Sequence, residues 1–192
     1  MKFTKMQGLG NDYIYVYSKK EPENPADLSI KLSDRHFGIG SDGMIWILPS
    51  KIADFKMRIF NADGSEAMMC GNGIRCVGKY VYDKGLTKKT TVTVETLSGI
   101  KTLNLTVEKG KVKSVSVNMG KADAGLVNRV TVCGEDVEYI PVSVGNPHAV
   151  VFVDDITKAK VDSIGPAMER HERFPDGVNV EFVQVLSESE VR

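Results

Sequence analysis

A repeated pair of turns constrains this chain more than any other feature of its sequence. Gly10-Asn11 precedes the strand-like run YIYV, and Gly145-Asn146 precedes, after two further residues, the run AVVFV. Asp42-Gly43 precedes MIWI, and Asp176-Gly177 precedes VNVEFV. The two offsets agree, because 146 − 11 = 135 and 176 − 42 = 134. Two matches in the same order at one spacing predict two halves built on the same plan.

The alternating strand pattern breaks at residues 119–127 (MGKADAGLV), which predicts a domain boundary. We therefore expect an N-terminal half over 1–118 and a C-terminal half over 119–192. The first half continues with a loop at Cys70, and adding the offset places the counterpart of that loop at roughly residue 204. The second half is thus expected to be incomplete within these 192 residues.

Three segments carry helical periodicity. They cover residues 28–37, 74–82 and 161–172. In the weakest of them, Ile30, Leu32 and Phe37 are expected to share a buried side. The remaining segments alternate as strands do, including residues 129–138, and Lys109-Gly110 predicts a hairpin turn.

The run Asn61 to Cys76, NADGSEAMMCGNGIRC, is where the sequence places the chemistry. Cys70 lies where a loop becomes a helix, and it is followed by Gly71, Asn72 and Gly73. Small residues let a ligand approach the backbone. The first turn of a helix offers unpaired N–H groups and a partial positive charge, which suit an anion and stabilise a thiolate. Cys70 is therefore predicted to be a usable base or nucleophile.

Composition excludes several classes of function. Lys plus Arg and Asp plus Glu number 25 each, so no overall charge attracts nucleic acid or a membrane surface. Three cysteines and three histidines without ligand spacing predict neither a disulfide framework nor a metal site. No segment approaches the length of a signal peptide core or a membrane span, which favours a cytoplasmic location.

Four motifs together resemble the diaminopimelate epimerase family. They are GLGND at 8–12, FNADGSEAMMCGNGIRC at 60–76, GNPHAV at 145–150 and DGVNVEF at 176–182. The resemblance implies an α/β (α+β) fold of two pseudo-symmetric halves, each a mostly antiparallel sheet wrapped around a central helix, with the active site in the cleft between them. It also implies epimerisation of diaminopimelate at one α-carbon by two cysteines, without pyridoxal phosphate, metal or any other cofactor.

The resemblance assigns roles residue by residue. Cys70 matches the first catalytic cysteine, and His148 matches an active-site histidine that holds or tunes a cysteine. The residues implied to bind the substrate are Asn11, Asn61, Gly71, Asn72, Asn146 and Asn179. Neutral amides suit a ligand with two carboxylates and two ammonium groups, because each amide can donate and accept a hydrogen bond.

The chain departs from the family pattern at two places. Gly43 stands where many members carry a glutamine of the site. The second cysteine loop has no counterpart, since Cys76 is expected in the core and Cys133 in a strand. We therefore expect these 192 residues alone not to epimerise diaminopimelate, whereas the full-length parent does.

Other functions stay open at this point. A related isomerase of the same fold, a proline racemase or a phenazine-type isomerase, is the main alternative. Cys70 within CGNG disfavours the phenazine type, and the asparagine set disfavours a simple monocarboxylic substrate. The other alternative is a substrate-binding fragment without chemistry. The partner expected is a small molecule, with neither nucleic acid nor membrane, and a homodimer is allowed.

Overall fold

A computed structural model describes residues 1–192, which divide into two compact units, Met1–Met119 (unit 1) and Gly120–Arg192 (unit 2). Unit 1 contains β1 (Thr4–Gly8), β2 (Asn11–Tyr17), α1 (Pro25–Ser33), β3 (Gly43–Leu48), β4 (Phe55–Asn61), β5 (Glu66–Ala67), α2 (Gly71–Asp83), β6 (Thr91–Thr96), β7 (Gly99–Glu108) and β8 (Lys111–Asn118). Unit 2 contains β9 (Asp123–Ala124), β10 (Asn128–Val132), β11 (Glu135–Ser143), β12 (Pro147–Phe152), a 3-10 turn (Ile156–Lys158), α3 (Val161–Glu169), β13 (Asn179–Val183), β14 (Val185–Ser187) and β15 (Glu190–Val191). None of the helices has the length and apolar character needed to cross a bilayer.

Unit 1 is one eight-stranded sheet with the order β1-β2-β3-β4-β6-β7-β8, in which β5 also pairs with β4. Its pairs are antiparallel except β2–β3 and β4–β6. The predicted hairpin at Lys109-Gly110 is confirmed, with φ of 49° and 73° at its two residues. Positive φ at both central residues matches the twist of antiparallel strands.

Helix α2 is the centre of unit 1. It packs against β1 and β2 at one end of the strand order and against β7 and β8 at the other, so the sheet curls around it. Its apolar stripe includes Ile74, Val77 and Val81, all fully buried. The predicted helix over 74–82 is confirmed, and it begins three residues earlier because Gly71 to Gly73 also adopt helical conformation.

Helix α1 covers the other face of the sheet, and here part of the sequence prediction is wrong. The helix ends at Ser33 instead of Phe37, because the Asp34 carboxylate accepts the backbone N–H groups of His36 and Phe37 in a turn. Phe37 is 95% exposed and Ile30 is 47% exposed. The buried side is instead formed by Leu28, Ser29, Leu32 and Ser33, and Ser29 donates to the carbonyl oxygens at the end of β4.

Unit 2 is a smaller sheet with the order β10-β11-β12-β13, in which β9 also pairs with β11. Helix α3 covers one face with the predicted residues Ile164 and Met168, but it ends at Glu169, short of the expected residue 172. The single strand expected over 129–138 is two strands, joined by a turn at Cys133-Gly134 with φ of 52° and 75°. The expectation of Cys133 within a strand is therefore wrong.

The sequence repeat corresponds to a repeated backbone path. In unit 1, β2 pairs antiparallel with β1 and, after α1, parallel with β3, where Tyr13 lies opposite Gly43. In unit 2, β12 pairs antiparallel with β11 and, after α3, parallel with β13, where His148 lies opposite Asn179. The separations are nearly equal, since 43 − 13 = 30 and 179 − 148 = 31. The two halves therefore share one strand–strand–helix–strand plan.

Candidate active site

Cys70 is the N-cap residue of α2. It has extended backbone angles, and its Sγ accepts the backbone N–H of Gly73 at 3.2 Å. This contact satisfies one of the amides that a helix start leaves without an intrahelical partner. A Cβ at position 73 would lie 2.6 Å from Ile45 Cδ1 and 3.4 Å from Cys70 Sγ, so a larger residue there would displace the Ile45 side chain. Cys70 is partly exposed, whereas the helix behind it is buried.

Asn11 contacts the thiol from the start of β2. Its Oδ1 lies 3.3 Å from Cys70 Sγ, and its Nδ2 donates to Asp42 Oδ2 at 2.8 Å. The same Asp42 oxygen accepts the backbone N–H of Asp12 at 2.9 Å, and Arg35 donates to the other oxygen at 2.9 Å. A chain of hydrogen bonds therefore runs from Arg35 through Asp42 and Asn11 to the sulfur of Cys70.

Two tyrosines of β2 complete the surroundings of the sulfur. Tyr13 is buried and interacts with both Asn11 and Cys70; burial first, and then the charge of Cys70, raise the pKa of Tyr13 to about 12. Its hydroxyl therefore stays protonated at neutral pH and can only donate to a thiolate. Tyr15, two residues further on the same face, donates to the carbonyl of Gly73 at 3.4 Å, and burial raises its pKa as well.

The first turn of α2 presents hydrogen-bond donors beside Cys70. The amides of Gly71 and Asn72 belong to the helix positions that have no acceptor within the helix. Arg75 donates to Gly71 O at 3.0 Å and to Asn72 Oδ1 at 2.6 Å. Since Arg75 can only donate, the oxygen of Asn72 must face it, which leaves the Asn72 NH2 group free to donate elsewhere.

Asn61 ends β4 in a tight turn. Its Nδ2 donates to Ser65 Oγ at 3.0 Å, so its Oδ1 remains available as an acceptor. Asn61 pairs with Gly43, where a Cβ would lie 2.2 Å from Phe60 O and 2.9 Å from Tyr13 Cε1. Any larger side chain at position 43, including the glutamine that many family members carry, would therefore require the local backbone to move.

In unit 2, His148 connects two other residues of the predicted set. Its Nδ1 lies 2.6 Å from Glu181 Oε1 and its Nε2 lies 3.1 Å from Asn146 Oδ1. Because a carboxylate only accepts, Nδ1 carries a proton toward Glu181. The second oxygen of Glu181 is buried without a partner. Asn179 lies opposite His148 and donates to Pro147 O at 3.0 Å, which leaves its Oδ1 free.

The other two cysteines differ from Cys70. Cys76 is buried in the core, as predicted, and burial raises the pKa of its thiol. Cys133 is exposed at its turn, with Sγ 3.8 Å from Ser163 O. No group of three or more His, Cys, Asp and Glu side chains is placed to hold a metal ion.

Sequence reasoning missed four residues of these arrangements. They are Tyr13, Arg35, Asp42 and Glu181. Tyr13 could have been found from strand alternation, because a residue two positions after Asn11 lies on the same face. Asp42 belongs to the repeated Asp-Gly turn, and the sequence identified it only as a turn residue and not as a residue of the site. Arg35 and Glu181 carry no local signal, since their partners are 7 to 33 residues away.

Comparison with known proteins identifies the family of this chain. The family model described as diaminopimelate epimerase matches residues 3–124 and 140–192. Proteins named diaminopimelate epimerase from Methanococcus maripaludis strain C5 and Acetivibrio thermocellus are each 52% identical, over 100% of this chain and 74% of theirs. The protein named diaminopimelate epimerase from Parabacteroides distasonis is 54% identical, over 100% of this chain and 72% of the length of that protein.

Solved structures share the fold at low sequence identity. A probable proline racemase from Agrobacterium radiobacter is 18% identical with a TM-score of 0.71, covering 99% of this chain and 68% of its own. A hydroxyproline epimerase from Agrobacterium vitis is 17% identical with a TM-score of 0.70 and the same coverage. The expected mixed fold is confirmed, and both the sequence profile and the relatives at half identity agree on one activity. This chain therefore belongs to the diaminopimelate epimerase family of isomerases.

Proposed function

We propose that Cys70 of this chain is one of the two thiols that exchange the α-proton when LL- and meso-diaminopimelate are interconverted, without an electron-sink cofactor. The observation that carries this proposal is the position of Cys70 as the N-cap of α2, in contact with both a hydrogen-bond donor and an acceptor. The polar groups around it belong to several separate segments, which is typical of a site rather than of a local turn.

Inversion of a stereocentre requires proton removal on one face and delivery on the other. As a base, the Cys70 thiolate takes the α-hydrogen: the C–H bond breaks, an S–H bond forms, and the electron pair moves into the carboxylate of the substrate. The Gly73 N–H and the helix dipole stabilise the thiolate beforehand. In the reverse direction the same thiol returns its proton to carbon.

The carbanion needs preorganised donors at its carboxylate. The amides of Gly71 and Asn72 and the free NH2 group of Asn72 supply them at the start of α2. The charge that develops there meets the positive end of the helix dipole. The protonated hydroxyl of Tyr13 adds a donor beside the thiolate.

The ammonium groups of the substrate need acceptors. Asn61 and Asn179 each use their NH2 group within the chain and keep the oxygen free. Asn72 has the opposite arrangement, so the asparagine set offers both donors and acceptors. We therefore propose that Asn61, Asn72, Asn146 and Asn179 bind substrate, that Asn11 serves mainly the thiol, and that His148 is held by Glu181 as a supporting residue.

Selective labelling tests the proposal. An electrophilic diaminopimelate analogue should alkylate Cys70 at least about tenfold faster than Cys76 or Cys133, because binding raises the local concentration of the electrophile at one thiol only. Peptide mass spectrometry locates the label, and excess diaminopimelate should slow the reaction. Cys70→Ala should abolish it, whereas the matched variant Cys133→Ala should leave it unchanged.

A second reagent checks the substrate class. The same reactive group on an amino acid with one carboxylate should label Cys70 more slowly, because half of the charged contacts are lost. Equal labelling of all three cysteines, or no protection by diaminopimelate, contradicts the proposed role of Cys70.

A further inference from the structure

The orientation of the Asn11 amide is fixed by a residue that does not touch the sulfur. Asp42 Oδ2 lies 2.8 Å from one end of the amide, and a carboxylate can only accept. That end must be the NH2 group. The carbonyl oxygen of Asn11 therefore faces Cys70 Sγ at 3.3 Å.

This orientation places one acceptor and two donors around Cys70. The thiol form can donate its S–H to Asn11 Oδ1, whereas the thiolate has no hydrogen and faces the lone pairs of that oxygen. The Gly73 N–H, at 3.2 Å, and the hydroxyl of Tyr13 favour the thiolate. If the Asn11 amide were turned, only donors would face the sulfur and the thiol form would lose its acceptor.

We propose that Asp42 is a positioning residue for the reaction: by holding the Asn11 amide, it keeps the thiol form of Cys70 populated beside the thiolate. The proposal rests on the proposed role of Cys70. A residue that removes a proton in one direction and delivers it in the other must be accessible in both forms. Asp42 is itself held by Arg35 and by the Asp12 amide, so its position does not depend on substrate.

The rate of alkylation of Cys70 by iodoacetamide tests this, because only the thiolate reacts. In Asp42→Ala the amide of Asn11 has lost its acceptor and is free to turn and donate to the sulfur, so the rate at neutral pH should rise about tenfold, the effect of roughly one added hydrogen bond to a charged group. Asp12→Ala is the matched control. It removes a carboxylate that also binds Arg35 but does not contact the Asn11 side chain.

Asn11→Ala separates the orienting role from simple loss of charge. Alone, it should raise the rate, because the acceptor that favours the thiol is removed; a fall would mean that nitrogen faces the sulfur and would overturn the proposal. In the Asn11→Ala background, Asp42→Ala should have no further effect. Continued protection of the buried Cys76 in each variant reports that unit 1 is folded.

The proposal is overturned if Asp42→Ala and Asp12→Ala raise the rate equally, if Asp42→Ala leaves it unchanged, or if the increase persists without Asn11. These outcomes concern a small neutral reagent. They are distinct from failure of the diaminopimelate analogue to select Cys70, which would overturn the proposed function while leaving the hydrogen-bond chain to be judged separately.

Discussion

The two units share one backbone plan and carry different chemistry on it. In each, a Gly-Asn turn leads into a strand that pairs antiparallel with the strand before it and parallel with the strand after a helix. The asparagine after the turn is tied to Asp42 and Cys70 in unit 1, but to His148 in unit 2. The repeated turns therefore set positions, and other elements decide what those positions do.

The residue two places after each asparagine also differs in its role between the two units. Tyr13 is buried beside Cys70 and stays a donor, whereas His148 is held by the Glu181 carboxylate. In unit 1 this face of the sheet is covered by α2, and Tyr13 and Tyr15 pack into its core. In unit 2 the corresponding face carries His148, Val150 and the 53% exposed Phe152.

The largest expected effect is the loss of stability when a buried side chain is removed from the core of either unit. Met168→Ala removes a fully buried side chain from the small core of unit 2, and Ile74→Ala removes one from the buried stripe of α2 in unit 1. Each should cost about 2–5 kcal/mol of unfolding free energy. Hydrogen exchange followed by mass spectrometry should show lost protection mainly within the unit that carries the substitution.

The exposed Ile52→Ala is the control for this pair, and it should change protection little. Equal loss of protection in both units from either core variant would contradict the description of two separate cores.

A smaller effect is expected at the glycines of the repeated Asp-Gly turns. Gly43→Ala would place a Cβ 2.2 Å from Phe60 O, and the overlap should cost about 1–3 kcal/mol. Gly177→Ala meets no atom closer than 3.9 Å, so only the strain of its φ of +76° remains, about 1 kcal/mol. Urea denaturation of the two variants measures the difference.

If Gly177→Ala proved the more costly of the two, the steric account of position 43 would be wrong. A similar cost at both positions would show that the strain of a positive φ, +156° at Gly43 and +76° at Gly177, outweighs the close contact at position 43.

The smallest expected effect is the loss of folding stability at acid pH. Hydrogen bonds from Arg35, followed by those from Lys5, lower the pKa of Asp12 to about 2 from its usual 3.8. Because the folded value lies below the unfolded one, this stabilisation is present above about pH 4 and is lost as the pH falls toward 2. Solvent screening limits it to about 1 kcal/mol.

Unit 1 should therefore lose more stability than unit 2 between pH 4 and pH 2. Five further carboxylates of unit 1, at Glu21, Asp34, Asp54, Asp63 and Asp83, also have lowered pKa values, against Asp155 alone in unit 2. Asp12→Asn should reduce the acid sensitivity of unit 1 without affecting that of unit 2. Unfolding followed at several pH values by hydrogen exchange checks both statements.

Much of the fold could be predicted because its signals are local. Alternation located most strands, the glycine run located the start of α2, and the spacing of two turns predicted a repeated plan. The errors have local causes too. The Asp34 turn ended α1 early, and Cys133 occupies a positive-φ turn position that its residue type does not signal.

The sequence by itself determined the family, the repeat and the placement of Cys70 at a helix start, since each depends on residues close in the chain or on a motif. The tertiary structure alone decided the orientation of the Asn11 amide, which depends on Asp42, 31 residues away, and on Cys70, 59 residues away. It likewise decided the partner of His148, because strand pairing brings Glu181 within 2.6 Å. Hydrogen bonds between residues that are distant in the sequence leave no periodic pattern in it, so they could not be predicted from the sequence.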